Sequence, residues 1–191
     1  MSFSACSSPY RVFPSVARRG LAAGAAVAAC WLAAPSARAD TVIAADLDFV
    51  VPINDGSEDI SSGAGFGIRV GQQLDLPALV LTPELGFTYA GFDGGVKAYR
   101  GVAGLRLGVG EILRPGVFAH AGIGRLSFDM PSGVADPSHT AFTFDAGAFL
   151  DFTLLPFLNI GAHAAYNRQA GSDELDAFQW ASLGAHAALV F

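Results

Sequence analysis

The chain has 191 residues, of which 52% are hydrophobic and 15% charged, and its 17 acidic side chains outnumber 11 basic ones. This acidic balance disfavours nucleic acid as a partner. Both cysteines, Cys6 and Cys30, lie near the start of the chain. If that segment is removed, disulfides and thiolate chemistry are excluded from the rest, which has the size of one domain.

Residues 1–39 have the layout of a secretory signal peptide. Arginines precede an apolar, alanine-rich segment, and a small-x-small cleavage site ends at Ala39. The apolar segment is too short and too weakly apolar for a comfortable membrane span. We therefore predict a cleaved leader over 1–39 and a mature domain over 40–191. The residues before Cys30 loosely resemble a lipoprotein cleavage box, which leaves that route open as an alternative.

From Asp40 onward, short runs of alternating apolar and polar residues are separated by clusters of Gly, Pro, Asp, Asn and Ser. This is the pattern of strands and turns. No run reaches the 18 apolar residues expected of a membrane-spanning helix. Eight strands are predicted, at about 42–51, 64–73, 79–91, 98–110, 116–128, 140–154, 157–167 and 178–191.

The connections between the predicted strands alternate in character. The polar and mostly long ones are 54–62, 92–96, 129–139 and 168–177, and the tight ones are 74–78, 111–115 and 155–156. Long loops at one rim and short turns at the other are typical of outer-membrane barrels. The predicted fold class is therefore all-β, an eight-stranded antiparallel up-and-down transmembrane β-barrel.

Alternate positions of each predicted strand differ in chemistry. One set is bulky and apolar, as in Leu47, Ile68 and Phe87, whereas the opposite set is rich in glycine and charge. The apolar set suits contact with lipid, and the glycine-rich set suits a narrow interior. A soluble barrel with an apolar inside is therefore disfavoured. Aromatic residues near strand ends are expected to form interfacial girdles, namely Tyr89, Phe92, Tyr99, Tyr166, Phe178 and Trp180 at the loop rim and Phe152, Phe157 and Phe191 at the turn rim.

The inward-facing set places charged residues in the predicted lumen. They are Asp46, Asp48, Arg69, Glu84, Arg100, Arg106, Asp145 and Asp151. The interior of an eight-stranded barrel is just wide enough for side chains to fill it, and a buried charge without a partner is strongly unfavourable. We expect these residues to pair and to plug the lumen. A gated pore or proton path through the same residues is the alternative.

The histidines are the other candidate site residues. His120, His163 and His186 are predicted to face the lumen, and His139 falls in the third long loop. Three histidines near acids can bind a metal, but they lie on different strands, at heights that the sequence does not fix, and without a short-spaced ligand pair. We therefore expect hydrogen-bonded lumen filler, with no metal and no other cofactor.

No catalytic residue is predicted. The lumen histidines occur in Ala-His-Ala segments with no serine two residues on, and Ser138-His139 has the wrong order in a loop. The base–nucleophile arrangement of a lipid A deacylase is therefore missing, and we expect the protein not to be an enzyme.

Four stretches together resemble a known family: Leu81–Tyr89, Arg114–Arg125, Phe149–Asn167 and the terminal strand Phe178–Phe191. They are similar to the small outer-membrane β-barrel superfamily that includes the membrane domains of outer-membrane proteins A and X. The resemblance covers essentially all of the mature chain. It implies that Phe191 and its alternate apolar neighbours are the signal read by the barrel-assembly machinery.

The predicted function is that of a monomeric, integral outer-membrane protein of a Gram-negative cell envelope with a structural or surface-interaction role. Its expected partners are outer-membrane lipid and lipopolysaccharide. Two loops carry acid-rich tips, Asp55, Glu58 and Asp59 in the first and Asp173, Glu174 and Asp176 in the fourth. The alternatives are a small-solute channel and a lipid A-modifying enzyme.

Overall fold

The barrel is seen in a computed structural model that describes residues 39–53, 60–128, 138–171 and 176–191. Its strands are β1 (Ala39–Pro52), β2 (Ser61–Asp75), β3 (Val80–Asp93), β4 (Val96–Gly108), β5 (Leu113–Phe128), β6 (Ser138–Leu155), β7 (Leu158–Gln169) and β8 (Phe178–Val190). Each strand pairs antiparallel with the next, and β8 pairs with β1. The predicted fold class, a closed eight-stranded antiparallel barrel, is confirmed.

Every predicted strand is present, with ends that differ by a few residues. The connection predicted at 92–96 is shorter than expected, because β3 and β4 are joined by Gly94 and Gly95 alone. These glycines have φ values of 98° and 80°, a left-handed backbone that glycine adopts without steric cost. We call this end of the barrel the loop end, and the opposite end, where β1 begins and β8 ends, the turn end.

Several predicted features lie outside the described residues. They include nearly all of the leader, since β1 begins at Ala39, and the acid-rich tips except Asp176, which is exposed. No helix among the described residues is long and apolar enough to cross a membrane.

Burial alternates along all eight strands, and it agrees with the two sets predicted from the sequence. The outward side chains are large and apolar. Leu47 is 72% exposed and Ile123 67%, although both lie in the middle of their strands. A soluble protein would not leave such a continuous apolar surface in water, whereas a lipid-facing barrel requires one.

The outward tyrosines form the predicted aromatic girdle at the loop end. The ring of Tyr89 lies 5.3 Å from that of Phe66 and 5.1 Å from that of Tyr99. At the turn end, Phe157 and Phe191 are exposed. Aromatic side chains at both levels suit the two membrane–water interfaces.

The girdle prediction is wrong for Phe92, Phe178 and Trp180, which point into the barrel. Their nearness to the rim suggests a place in the girdle. However, inward and outward side chains alternate up to the strand ends, and this alternation turns the three residues inward. Trp180 is 1% exposed, and the rings of Phe92 and Phe178 meet edge to face at 5.2 Å. We call the buried group that they belong to the apolar cluster, which consists of Val50, Ala90, Phe92, Val96, Ala98, Leu126, Phe178 and Trp180.

Candidate functional site

The polar interior lies between the apolar cluster and the turn end. All eight charged residues predicted for the lumen occupy inward positions of their strands. The structure connects them, together with the histidines, into two runs of hydrogen bonds and ion pairs. We call these runs the first and second polar chains.

Arg69 is the centre of the first polar chain. Its Nε and Nη2 donate to the two oxygens of Asp46 at 2.9 and 2.8 Å, and its Nη1 donates to Oε2 of Glu84 at 2.8 Å. The three strands β1, β2 and β3 present these side chains to one another, because Asp46 pairs with Gly67 and Arg69 with Gly86. Two-point contact between a guanidinium and a carboxylate is the strongest form of such a pair.

His120 continues the first polar chain towards β6. Its Nε2 lies 2.7 Å from Oε1 of Glu84, and its Nδ1 lies 2.6 Å from Oδ1 of Asp145. A ring held between two carboxylates donates from both nitrogens, which suits an imidazolium. Asp145 also accepts from Nη1 of Arg100 at 3.3 Å.

Arg100 joins the polar interior to the apolar cluster. Its Nε donates to Oγ1 of Thr88 at 2.9 Å, and its guanidinium lies 5.0 Å from the centre of the Trp180 ring. A cation over an indole face is attracted by the ring's negative electrostatic face. The aromatic part of the interior and its charged part therefore meet at a favourable cation–π contact between Arg100 and Trp180.

The second polar chain begins nearer the turn end, at Arg106 and Asp151, and continues to Asp48. Nη2 of Arg106 lies 3.5 Å from Oδ1 of Asp151, and the same oxygen lies 2.6 Å from Nε2 of His186. The guanidinium of Arg106 stacks over the ring of Phe149 at 3.9 Å. The chain ends where Nε2 of His163 contacts Oδ1 of Asp48 at 2.8 Å.

His163 and His186 form a contact that the alternation of inward and outward residues does not predict. Both follow the same short sequence, Gly161-Ala-His163 on β7 and Gly184-Ala-His186 on β8. In the antiparallel register each histidine lies opposite the other's glycine, and the two Nδ1 atoms are 3.2 Å apart. A Cβ at Gly161 would come within 2.7 Å of Nε2 of His186, so glycine makes room for the pair. The repeated Gly-Ala-His is the signal that could have revealed it.

The two polar chains account for every site residue predicted in the lumen. His139, by contrast, is not in a loop, since β6 begins at Ser138. Among the described residues, the ring nitrogens of the three lumen histidines contact carboxylates and each other, and no hydroxyl or thiol hydrogen bonds to them.

Little free space remains between the side chains in the middle of the barrel. One interior cavity of about 50 Å³ lies among residues of both polar chains, and another of about 30 Å³ lies nearer the turn end and reaches His186. A water molecule needs roughly 10–15 Å³ of such volume. Each of the two cavities therefore has room for a few waters and for nothing much larger.

Basic side chains occupy outward positions at the loop end. Lys97 and Arg125 lie on the adjacent strands β4 and β5, and Arg125 pairs with Tyr99. Arg168 lies on β7, where it pairs with Phe144 of β6. Both arginines are exposed. We call Lys97, Arg125 and Arg168 the basic rim; it lies at the level of the tyrosine girdle.

Phe191 follows β8 at the turn end. Its backbone N–H donates to the carbonyl of Thr41 at 3.0 Å and its carbonyl accepts from the Thr41 N–H at 2.7 Å, while its side chain is 68% exposed. The residue is thus tied to β1 by its backbone and presents its ring outward.

Solved outer-membrane barrels have the same fold. Neisserial surface protein A is 17% identical, with a TM-score of 0.62 over 79% of this chain and 97% of its own. Ail, the attachment invasion locus protein of Yersinia pestis, is 20% identical, with a TM-score of 0.56 over 80% and 99%. The outer membrane enzyme PagL is 18% identical, with a TM-score of 0.50 over 76% and 97%.

No protein-family model and no curated protein matches the sequence. The sequence identities of 17–20% to the solved barrels show the fold alone. The expected architecture of the small eight-stranded outer-membrane barrels is confirmed.

Proposed function

We propose that the protein is an integral outer-membrane barrel of a Gram-negative envelope, closed to solutes and without catalytic activity, which presents loops at the surface and binds lipopolysaccharide at its rim. The observation that carries the proposal is the filled interior. Aromatic side chains occupy the loop end, paired charges occupy the centre, and the cavities between them measure about 50 and 30 Å³.

A solute would have to break favourable contacts at two levels. At the loop end it would displace Trp180 and its aromatic neighbours. In the centre it would separate Arg69 from Asp46 and Glu84, which are 9% exposed or less. Taking apart a buried ion pair exposes uncompensated charge and costs several kcal/mol. These contacts support a structural role over that of a small-solute channel.

The direction of the histidines argues against a lipid-modifying enzyme. His120, His163 and His186 all lie on inward positions, where lipid does not reach. The outward strand surface consists largely of aliphatic and aromatic side chains. A base activating a nucleophile against a membrane lipid would have to lie on that surface.

The basic rim supports lipopolysaccharide as the partner. Guanidinium groups bind phosphate through two parallel hydrogen bonds, and lipid A phosphates lie at the outer membrane–water interface. Arg125 and Arg168 project outward at that level, beside the tyrosine girdle. The chain as a whole has a net charge of −6, so this cationic group is local rather than a consequence of composition.

One preparation tests the closed lumen and the absence of catalysis together. Protein folded into liposomes that contain lipopolysaccharide should give no solute-dependent swelling, and the mass spectrum of the lipid A should be unchanged after incubation. Swelling would favour the channel, whereas loss of an acyl chain would favour the enzyme. Protein-free liposomes and liposomes holding an open porin are the controls.

Binding at the rim has its own test. The double variant Arg125→Gln, Arg168→Gln should bind lipopolysaccharide more weakly in detergent than the unchanged protein. Arg114→Gln is the matched control, because Arg114 lies at the turn end, where its Nη1 donates to Gln73. Equal affinity of all three proteins would remove lipopolysaccharide binding from the proposal and leave the closed barrel untouched.

Phe191 is proposed as part of the assembly signal. Phe191→Asp should lower the amount of folded barrel in the outer membrane, measured as the fraction whose gel mobility changes on heating. Phe157→Asp is the control, since Phe157 is also an exposed turn-end aromatic, 54% exposed against 68% for Phe191. An equal effect of both substitutions would show that any charge at this interface lowers the amount of folded barrel and that Phe191 is not specifically recognised during assembly.

A further inference from the structure

We propose that His163, His186 and Asp46 form a binding site for a first-row divalent cation, Zn²⁺ in the first instance, inside the barrel. One ligand atom from each of the three residues lies within 4.8 Å of the other two. Two imidazoles and a carboxylate are a common ligand set for Zn²⁺, with a fourth position left for water. The site goes beyond the proposed envelope role and does not depend on it.

The hydrogen bonds of the two histidines leave their Nδ1 atoms facing each other. Nε2 of His163 contacts Asp48 at 2.8 Å and Nε2 of His186 contacts Asp151 at 2.6 Å. A carboxylate accepts, so each Nε2 donates, and Nδ1 is the ring nitrogen left to meet a proton or a metal ion. The two Nδ1 atoms lie 3.2 Å apart, which is the distance of two nitrogens that share either a proton or a metal ion.

The distance fits a metal ion. Two nitrogens bound to one tetrahedral Zn²⁺ at about 2.0–2.1 Å lie roughly 3.3 Å apart, close to the observed 3.2 Å. The carboxylates on the far nitrogens are the outer partners that fix ring orientation in metal sites and raise the basicity of the ligand. The order Asp48–His163–His186–Asp151 is therefore a ligand pair whose far nitrogens already have their carboxylate partners.

Asp46 supplies the third ligand from the neighbouring strand. It pairs directly with His186 in the β1–β8 register. Its carboxylate binds Arg69 through both oxygens, yet an ionised carboxylate has about four acceptor positions, so two remain. Direct coordination needs a modest rotation of the side chain, or a water between its oxygen and the ion.

The carboxylates around this point of the lumen differ in their partners. Asp46 and Glu84 pair with Arg69, Asp145 with Arg100, and Asp151 with Arg106. Within the described residues, the ion-pair partner of Asp48 is His163 alone. A divalent ion bound to Nδ1 of His163 would place positive charge near this carboxylate.

The three ligands lie across the closing seam of the barrel. Asp46 is on β1, His163 on β7 and His186 on β8, and the β1–β8 ladder is the one that joins the first strand to the last. Both interior cavities reach the site, one at Asp46 and His163 and the other at His186. A bound ion would therefore cross-link first and last strands and slow the opening of the barrel.

The test uses protein without an affinity tag, purified in detergent and treated with a chelator. Titration with Zn²⁺ should give one tight site per chain. Cu²⁺ in its place should give an electron paramagnetic resonance spectrum with coupling to two imidazole nitrogens. His163→Gln and His186→Gln should each lose the two-nitrogen spectrum. Asp48→Asn should weaken binding by roughly 10–100-fold, because it removes the carboxylate that orients the ring of His163.

His139→Gln is the matched control, since His139 lies on β6 away from the three ligands, and it should bind as the unchanged protein does. Zn²⁺ should also slow unfolding of the unchanged protein but not of His186→Gln. The proposal is overturned if the unchanged protein binds no Zn²⁺, or if its Cu²⁺ spectrum lacks coupling to two nitrogens; a hydrogen bond between the two rings would then account for their 3.2 Å contact. Both measurements need no variant, so they decide the question even if a substituted barrel fails to fold.

Discussion

The two halves of the barrel interior are filled by opposite chemistry. At the loop end, the apolar cluster packs the rings of Trp180, Phe92 and Phe178 against one another. Towards the turn end, the same inward positions of the same strands carry arginines, carboxylates and histidines. The apolar half is held by packing, whereas the polar half is held by the pairing of charges.

This difference in chemistry decides why a substitution in each half destabilises the barrel. Truncating a side chain in the apolar cluster leaves a void, whose cost depends on how far the neighbours collapse. Removing one member of a polar chain leaves a buried charge without a partner, which is worse than a void of the same size. The substitutions below compare the two halves, from the largest expected loss of stability to the smallest.

The largest loss is expected for Arg69→Ala. It leaves the buried carboxylates of Asp46 and Glu84 without their arginine partner, so the free energy of unfolding in detergent should fall by about 3–5 kcal/mol. Adding Asp46→Asn should recover part of that loss, because the arginine is the hydrogen-bond partner of Asp46 among the described residues. Urea unfolding followed by tryptophan fluorescence measures both. A double variant no more stable than the single one would contradict the pairing account.

The apolar half is tested by Leu126→Ala. Leu126 is 3% exposed within the apolar cluster, and its truncation should cost about 3 kcal/mol through the cavity that it leaves. Leu105→Ala is the control, because Leu105 is 50% exposed on the outside, where lipid fills the space. Equal losses for the two substitutions would show that the loop end is not packed as described.

A smaller loss is expected for Thr88→Val, which keeps the shape of the side chain. It removes the hydroxyl that accepts from Nε of Arg100 and leaves the ion pair with Asp145 intact. The expected cost is about 1–2 kcal/mol, measured by the same unfolding experiment. A loss as large as that of Arg69→Ala would mean that the hydroxyl, and not the ion pairs, holds the polar half together.

The smallest effect is expected outside both halves. Arg125 donates to Oγ of Ser138 at 3.0 Å in an exposed position, and Arg125→Ala should change the free energy of unfolding by less than about 1 kcal/mol. A larger change in lipid-free detergent would show that the basic rim stabilises the barrel itself rather than binding a lipid.

The fold could be predicted because its determinants are local. The alternation of Ile43 and Leu47 with Asp46 and Asp48 identifies both a strand and its two faces. A narrow barrel has room inside only for the face that carries the smaller and charged residues. The same logic, applied up to the strand ends, would have turned Trp180 and Phe178 inward. Nearness to a rim was the weaker signal.

The contacts of the site could not be predicted, because they depend on strand register. Sequence parity shows that His163 and His186 face the lumen, but their heights follow from the β7–β8 pairing. A shift of two residues would keep both inside and separate their rings. The pairing of Arg69 with both Asp46 and Glu84 is likewise a property of three strands in register.

Conductance across a planar bilayer tests the central claim, that paired charges and aromatic packing close the barrel. The folded protein, identified by its heat-dependent gel mobility, is inserted into a bilayer and held at a steady voltage. The account predicts a flat current, with no steps above those of the protein-free membrane. Reproducible stepwise conductance by the unchanged protein would contradict it, because ions would then pass both the apolar cluster and the polar chains.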